Sequence, residues 1–289
     1  MTALRLALAQ YRIERVAGAR GFLDRLDRLA GEATRAGAEM LMLPEYAAME
    51  IAGEEGGDPL AELAAVTVHA PALIAAMRDL AARHRLWLLP GSLPLSAGAA
   101  IHNVAPLIAA DGAMAMQYKR VMTRFERETL GVVPGAPPAV FATPWGRIGI
   151  AICYDVEFPT LVRAQTEAGA WLILTPACTD TMHGFNRVRL AARARALENQ
   201  CFVAVSPTIG AAPWLATLDE NHGYAAVFGP VDRGFPEDGV IARGALDEEA
   251  LVIADLDPAR LEAVRREGAV RNAADWPPAP PDVALRTPE

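Results

Sequence analysis

The chain has 289 residues, 52% hydrophobic and 21% charged, with 35 acidic against 27 basic side chains and a net charge of −8. That is enough apolar material for one large or two modest domains. An acidic balance without any Lys/Arg-rich block interleaved with aromatics excludes nucleic acid as an expected partner. The three cysteines, Cys153, Cys178 and Cys201, are an odd number with no short paired spacing, which argues against a disulfide framework or a CxxC zinc site.

Taken in chain order, Leu4–Ala9 reads as a buried strand. The first ten residues are too short and too strand-like for a signal peptide. Arg20–Ala36 carries apolar residues at helical spacing (Phe22, Leu23, Leu26, Leu29, Ala30, Ala33), with Gly37 as a stop. Met40–Leu43 is a short strand cut by Pro44. The apolar stretch Leu60–Met77 is interrupted by Glu62, His69 and Pro71, so no membrane span is expected and the cytoplasm is the expected compartment. Pro71–His84 reads as a helix and Leu86–Leu89 as a strand. This alternation of strand and helix is the signature of α/β layers.

Ile101–Ala109 and Ala113–Tyr118 form a hairpin across Asp111-Gly112. Residues 119–138, with their charges, glycines and prolines, read as a long loop at the active site. Val140–Ala142 and Ile148–Ile152 pair around Pro144-Trp145-Gly146. A helix near Thr160–Ala168, a strand Trp171–Thr175, a helix Arg187–Asn199 and a strand Phe202–Val205 resume the alternation. Ala225–Phe228 and Leu251–Ala254 are the last strands, followed by a short helix near Pro258–Arg266. No repeat or linker divides the chain, so one domain over residues 1–271 is expected. A proline-rich tail, 272–289, is expected to pack on it or on a dimer partner.

Three side chains capable of chemistry stand where strands end: Glu45 in Leu43-Pro44-Glu45, Lys119 in Tyr118-Lys119, and Cys153 in Ile150-Ala151-Ile152-Cys153. Open α/β sheets place their sites at strand C-termini. Each residue alone is ordinary: a cysteine after Ile-Ala-Ile is usually a small buried apolar side chain, and a lone Glu or Lys is usually solvated. Together they supply what a thiol hydrolase needs. A base must take the thiol proton, since a free cysteine has a pKa near ~8.5. A cation must face the oxyanion, and an acid must protonate the leaving nitrogen. His102, His183 and His222 offer a Cys–His alternative that Glu45 makes unnecessary. No side-chain cluster has metal-ligand spacing and no glycine loop suits phosphate, so no cofactor is expected. Arg195 and Glu198, at i and i+3, read as a structural pair on a helix.

Leu43-Pro44-Glu45, Tyr118-Lys119 and Ala151-Ile152-Cys153-Tyr154-Asp155, in this order and spacing, resemble the three catalytic motifs of the nitrilase, or carbon–nitrogen hydrolase, superfamily. Further matches are Ala7–Gln10, His102-Asn103, Pro134-Gly135, Arg195–Gln200 and Val252–Asp257, so the resemblance covers nearly the whole chain. It implies a single-domain α-β-β-α sandwich and a homodimer or larger homo-oligomer. It implies Glu45 as general base, Cys153 as nucleophile, and Lys119 with the Tyr154 backbone N–H as oxyanion donors. The family carries a second glutamate in the loop after the lysine. Glu126 and Glu128 both lie there, and Glu128 is preferred for its distance from Pro134. Tyr46, Arg124, Thr175 and His183 are the candidates for substrate contact, with Arg120 and Arg124 either recognising a substrate carboxylate or pairing with loop acids such as Glu126 and Glu128. Cys153-Tyr154-Asp155 resembles the amidase and carbamoylase branches. The expected activity is hydrolysis of a small linear amide or N-carbamoyl compound. The alternatives are a true nitrilase, an acyl transferase, and a catalytically silent binding scaffold.

Overall fold

The computed structural model describes residues 2–53 and 57–277. In the first third, β1 (Leu4–Arg12), α1 (Gly18–Arg35), β2 (Met40–Met42), α2 (Pro59–His84) and β3 (Trp87–Leu89) alternate. There follow β4 (Leu93–Ala97), β5 (Ala100–Ile108), β6 (Met114–Tyr118) and the short α3 (Arg124–Glu128). Next come β7 (Val140–Thr143), β8 (Gly146–Ile150), α4 (Pro159–Glu167), β9 (Leu172–Ala177), α5 (Met182–Asn199) and β10 (Phe202–Ala211). The chain continues through β11 (Glu220–Asn221), β12 (Ala226–Phe228), β13 (Val240–Arg243), β14 (Ala250–Leu256) and α6 (Pro258–Glu267).

Two sheets share one strand. On one side of β1 the order is β4-β5-β3-β2-β1, with β14 antiparallel to β1 from Leu4↔Leu256 to Gln10↔Ala250. The far end of β1, at Tyr11 and Arg12, pairs in parallel with β10, which leads on to β9, β8 and β7. The period-2 alternation of a strand sorts the core into layers. Leu4, Leu6, Leu8, Met40 and Met42 face the second sheet, where Ile148, Ile150, Leu172 and Leu174 join the same cluster. Ala7, Ala9, Tyr11 and Leu41 face the other way, onto Phe22, Leu26 and Ala30 of α1 and Leu73 and Met77 of α2. Val188, Ala192 and Ala196 of α5 cover the second sheet. The result is an α-β-β-α sandwich.

Several elements differ from the sequence reading. α2 begins twelve residues before Pro71, because Asp58 caps it by accepting from Leu60 N–H at 3.0 Å and Pro59 fills its first turn. Pro71 sits inside the helix on an exposed position. The buried stripe Val66, Ala70, Leu73 and Met77 runs straight past it. By length and composition α2 could cross a membrane, yet it packs on α1 and β4 within the domain. The strands β4, β11 and β13, and α3 within the expected loop, are additional. The tail expectation is only partly in view: Arg163 Nη2 donates to the Ala273 carbonyl at 3.1 Å and its guanidinium lies 4.8 Å over Trp276, while residues 278–289 lie outside the described residues.

Candidate active site

Glu45 is delivered by the end of β2. The segment after it runs beside residues 91 and 92, with an isolated parallel bridge between Glu45 and Ser92. That approach needs a glycine: Gly91 has φ +84°, and a Cβ there would run into the Pro44 carbonyl oxygen. Lys119 directly follows β6. Its N–H donates to the Asn103 carbonyl (2.9 Å) and its own carbonyl accepts from Gly135 N–H (3.1 Å). Gly135 packs so closely on Tyr118 that any side chain would collide with the ring, which accounts for the Pro-Gly pair in the sequence.

Cys153 opens a 3₁₀ turn, Cys153–Glu157, three residues beyond the end of β8, and adopts φ +46°. A non-glycine residue in the left-handed region carries strain of about 1–3 kcal/mol, which persists where the surroundings impose it. Asp155 anchors this turn. Its buried carboxylate accepts from the Arg120 and Val121 N–H groups at 3.1 and 2.8 Å, tying the turn that bears the thiol to the residues following Lys119. Burial pushes the Asp155 carboxyl up to about 6 against the pull of those donors.

At the centre, Lys119 Nζ lies 2.7 Å from Glu45 Oε1 and 2.6 Å from Glu126 Oε2. Asn103 Nδ2 donates to both carboxylates, at 2.9 and 3.1 Å. Tyr46 Oη donates to Glu126 at 3.0 Å. The other oxygen of Glu45 accepts from Cys178 N–H at 3.1 Å. The Cys153 thiol donates to the Cys178 carbonyl at 3.4 Å, on the residue whose N–H meets Glu45.

Burial governs the protonation of this group. It pushes the Glu45 carboxyl up, with Lys119 opposing. It pushes the Cys153 thiol well up, reinforced by Glu45 and opposed by Lys119. Burial would lower Lys119, but Glu126 and Glu45 outweigh it and hold the amine charged. Burial would raise Glu126, but Lys119 outweighs it and keeps it ionised. The outcome is a fixed ammonium between two carboxylates, one of which lines the same cavity as a protonated thiol and has a raised proton affinity, as a general base requires.

The second glutamate beside the lysine is therefore Glu126, not Glu128. Two residues along a helix lie roughly 200° apart at 3.6 residues per turn, so only one of the pair can face Lys119. A capping box decides which: Glu126 N–H donates to Thr123 Oγ1, and the Glu126 carboxylate accepts from Thr123 N–H at 2.9 Å. Glu128 points outward and pairs with Arg124 at 2.8 Å, their side chains 57% and 87% exposed. Arg124 thus takes the pairing alternative, as a rim residue. Tyr46 and Tyr154 both line the cavity above Cys153. Thr175 is buried in β9 and His183 is exposed at the start of α5, and neither reaches the cavity wall. Asn103 and Cys178 are contacts the sequence reading did not place at the site; for Glu126 the signal was present, as Thr123-x-x-Glu126.

The cavity over this floor holds about 600 Å³. Phe125 and Leu130 form one wall, Arg187 and Val188 another, and Ala216 and Thr217 a third. Arg187 is offset by Glu157 at 3.5 Å. Among the described residues no group of three His, Cys, Asp or Glu side chains could hold a metal.

Residues 5–266 match the sequence model of the carbon-nitrogen hydrolases. The chain belongs to the carbon–nitrogen hydrolase family. This hydrolase is 32% identical to the probable hydrolase YhcX of Bacillus subtilis, over 94% of its own length and 53% of the relative's, so it spans about half of that protein. It is 30% identical to the deaminated glutathione amidase of Synechocystis sp., over 85% of this chain and 89% of that one. Among solved structures it resembles the nitrilase-superfamily amidase from Nesterenkonia sp. AN1. A mutant of that amidase carrying the acetamide moiety of fluoroacetamide on its active-site cysteine superposes with a TM-score of 0.75 at 26% identity, covering 92% of this chain and 94% of the other.

Proposed function

We propose that this hydrolase cleaves small, uncharged linear amides through a thioester on Cys153. The observation that carries this reading is the ammonium of Lys119 held between Glu45 and Glu126 beside the thiol. A lysine has three N–H donors. Two of them serve the carboxylates, and the third serves the oxyanion.

Glu45 takes the Cys153 proton as the sulfur attacks the amide carbonyl, and a C–S bond forms. The carbonyl electrons move onto oxygen, where the Lys119 ammonium and the Tyr154 backbone N–H stabilise them. The proton held by Glu45 passes to the amide nitrogen, the C–N bond breaks and ammonia leaves. Water then gives a proton to Glu45 and attacks the thioester. The carboxylic acid departs and the thiol is restored, so amide and water become acid and ammonia. Glu126 keeps Lys119 charged and in place.

The choice of an uncharged substrate is supported by the rim. Arg124 and Arg187 each face a glutamate of this chain, which leaves neither dedicated to a substrate carboxylate. A homodimer is the assembly we propose. Leu190 and Leu197 on the outer side of α5, 54% and 40% exposed, support that reading. The cytoplasm, which keeps thiols reduced, suits the three free cysteines.

The test is ammonia release from acetamide, butyramide, carboxylated amides, ureido acids and nitriles, with Cys153→Ala in parallel. Turnover of the simple amides that vanishes in the variant is expected. Activity surviving in Cys153→Ala would overturn the thioester mechanism, and turnover confined to carboxylated or nitrile substrates would overturn the substrate class.

A further inference from the structure

Glu62 lies in the first turn of α2 and is wholly buried. An acid in that position ordinarily faces solvent and the helix N-terminus. Here the carboxylate instead reaches a distant segment. One oxygen accepts from Gly57 N–H at 3.0 Å and Ala216 N–H at 2.7 Å. The other accepts from Thr217 N–H at 2.9 Å and Thr217 Oγ1 at 2.6 Å. Among the described residues it has no ion-pair partner. Its charge is compensated by four directed donors, three of them from the loop that joins β10 to β11.

That loop is a wall of the cavity. Ala216, Thr217 and Asp219 line it, as does Leu63, the neighbour of Glu62 on α2. The loop is closed by Ala212 N–H donating to the Asp219 carbonyl at 2.8 Å and is rooted by buried Leu215 and Leu218 against α2. Between those two leucines, Glu62 fixes the backbone at the point where Ala216 and Thr217 meet the cavity.

We infer that Glu62 is a positioning residue that sets selectivity for the length of the substrate's acyl chain by clasping the 212–219 wall. The inference rests on the amidase reading: Ala216 and Thr217 line the same cavity as Cys153 without belonging to its hydrogen-bonded floor, so their place bears on the acyl chain rather than on the reacting atoms. A glutamine at this position keeps one acceptor oxygen and turns an N–H₂ toward donors, so it releases one side of the clasp without emptying the space.

The experiment compares kcat and KM on acetamide and hexanamide for wild type, Glu62→Gln and Thr217→Val, with hydrogen exchange of peptides spanning 212–219. Losing a hydrogen bond to a charged group is typically worth about a tenfold change or more. KM for hexanamide should therefore rise about tenfold in Glu62→Gln, with acetamide kcat within about twofold. Exchange in the loop should accelerate, and Thr217→Val should move both in the same direction by less. Equal effects on the two amides, or faster exchange without a change in hexanamide KM, would overturn the inference. If Glu62→Gln does not fold, Thr217→Val, which removes a single donor, decides. If wild type hydrolyses neither amide, the amidase reading fails by itself. The clasp is then judged by exchange alone, and unchanged exchange overturns it.

Discussion

Lys119 shows how a few contacts give an ordinary side chain a chemical role. Charged, buried and hydrogen-bonded to Glu45 and Glu126, it has one donor to offer at a fixed place. Removing an oxyanion donor costs about 2.7–4 kcal/mol in the barrier, or about 10²–10³ in kcat. Lys119→Ala should show that loss at least, and Cys153→Ala should abolish ammonia release. The two glutamates of α3 should separate cleanly. Glu126→Gln leaves the lysine with one anionic partner and should lower kcat by tenfold or more, on the order of a charge-assisted hydrogen bond. Glu128→Gln and Arg124→Ala break only an exposed pair worth about 0–1 kcal/mol. They should leave kcat/KM within a few-fold, on neutral and carboxylated amides alike. A large and selective loss on carboxylated amides in Arg124→Ala would show that this arginine binds substrate.

At the scale of elements, what was legible followed apolar runs. Glu45, Lys119 and Cys153 each close such a run, so the strands that carry them, and their place at strand ends, were readable. α3 was not, because five residues are too few to display a period of 3.6. The choice between Glu126 and Glu128 therefore rested on distance from Pro134, although Thr123-x-x-Glu126 marked a helix start that would have turned Glu126 inward. Pro71 misled for a related reason: a proline reads as a boundary, while the stripe from Val66 to Met77 continues through it. The cap of α3 is also a support of the site, since the same Glu126 oxygen accepts from Thr123 and Lys119. Thr123→Ala should cost about 1 kcal/mol of stability, the usual worth of an N-cap. It should also lower kcat more than it raises KM; a variant that loses stability with kcat intact would show that Lys119, Asn103 and Tyr46 orient Glu126 without the cap.

Over the whole molecule, pairings between distant segments were beyond reach of the sequence. Nothing local shows that β14, some 240 residues away, completes the sheet beside β1, or that β1 joins two sheets at its end. One such tertiary link is open to titration. His222 bridges Asp247 and Glu220, each at 2.9 Å, and its backbone N–H meets the Thr179 carbonyl at the cavity wall. The hydrogen bond to Asp247, then that to Glu220, raises the imidazole above its ordinary 6.5. A raised histidine contributes stability that is fully present below about 6.5 and lost as pH climbs through its higher folded-state value. The melting temperature should fall across that window, with a shallower fall in His222→Gln; parallel curves would assign the fall to other groups. The floor of the cavity should respond to its surroundings quite differently. Glu45, Lys119 and Glu126 are each 3% exposed or less, so dissolved ions cannot come between them as they do between charges on a surface. With an uncharged amide there is no long-range attraction to screen either. Turnover should accordingly hold steady from dilute buffer to molar sodium chloride, as in an enzyme insulated from the ionic strength of its medium.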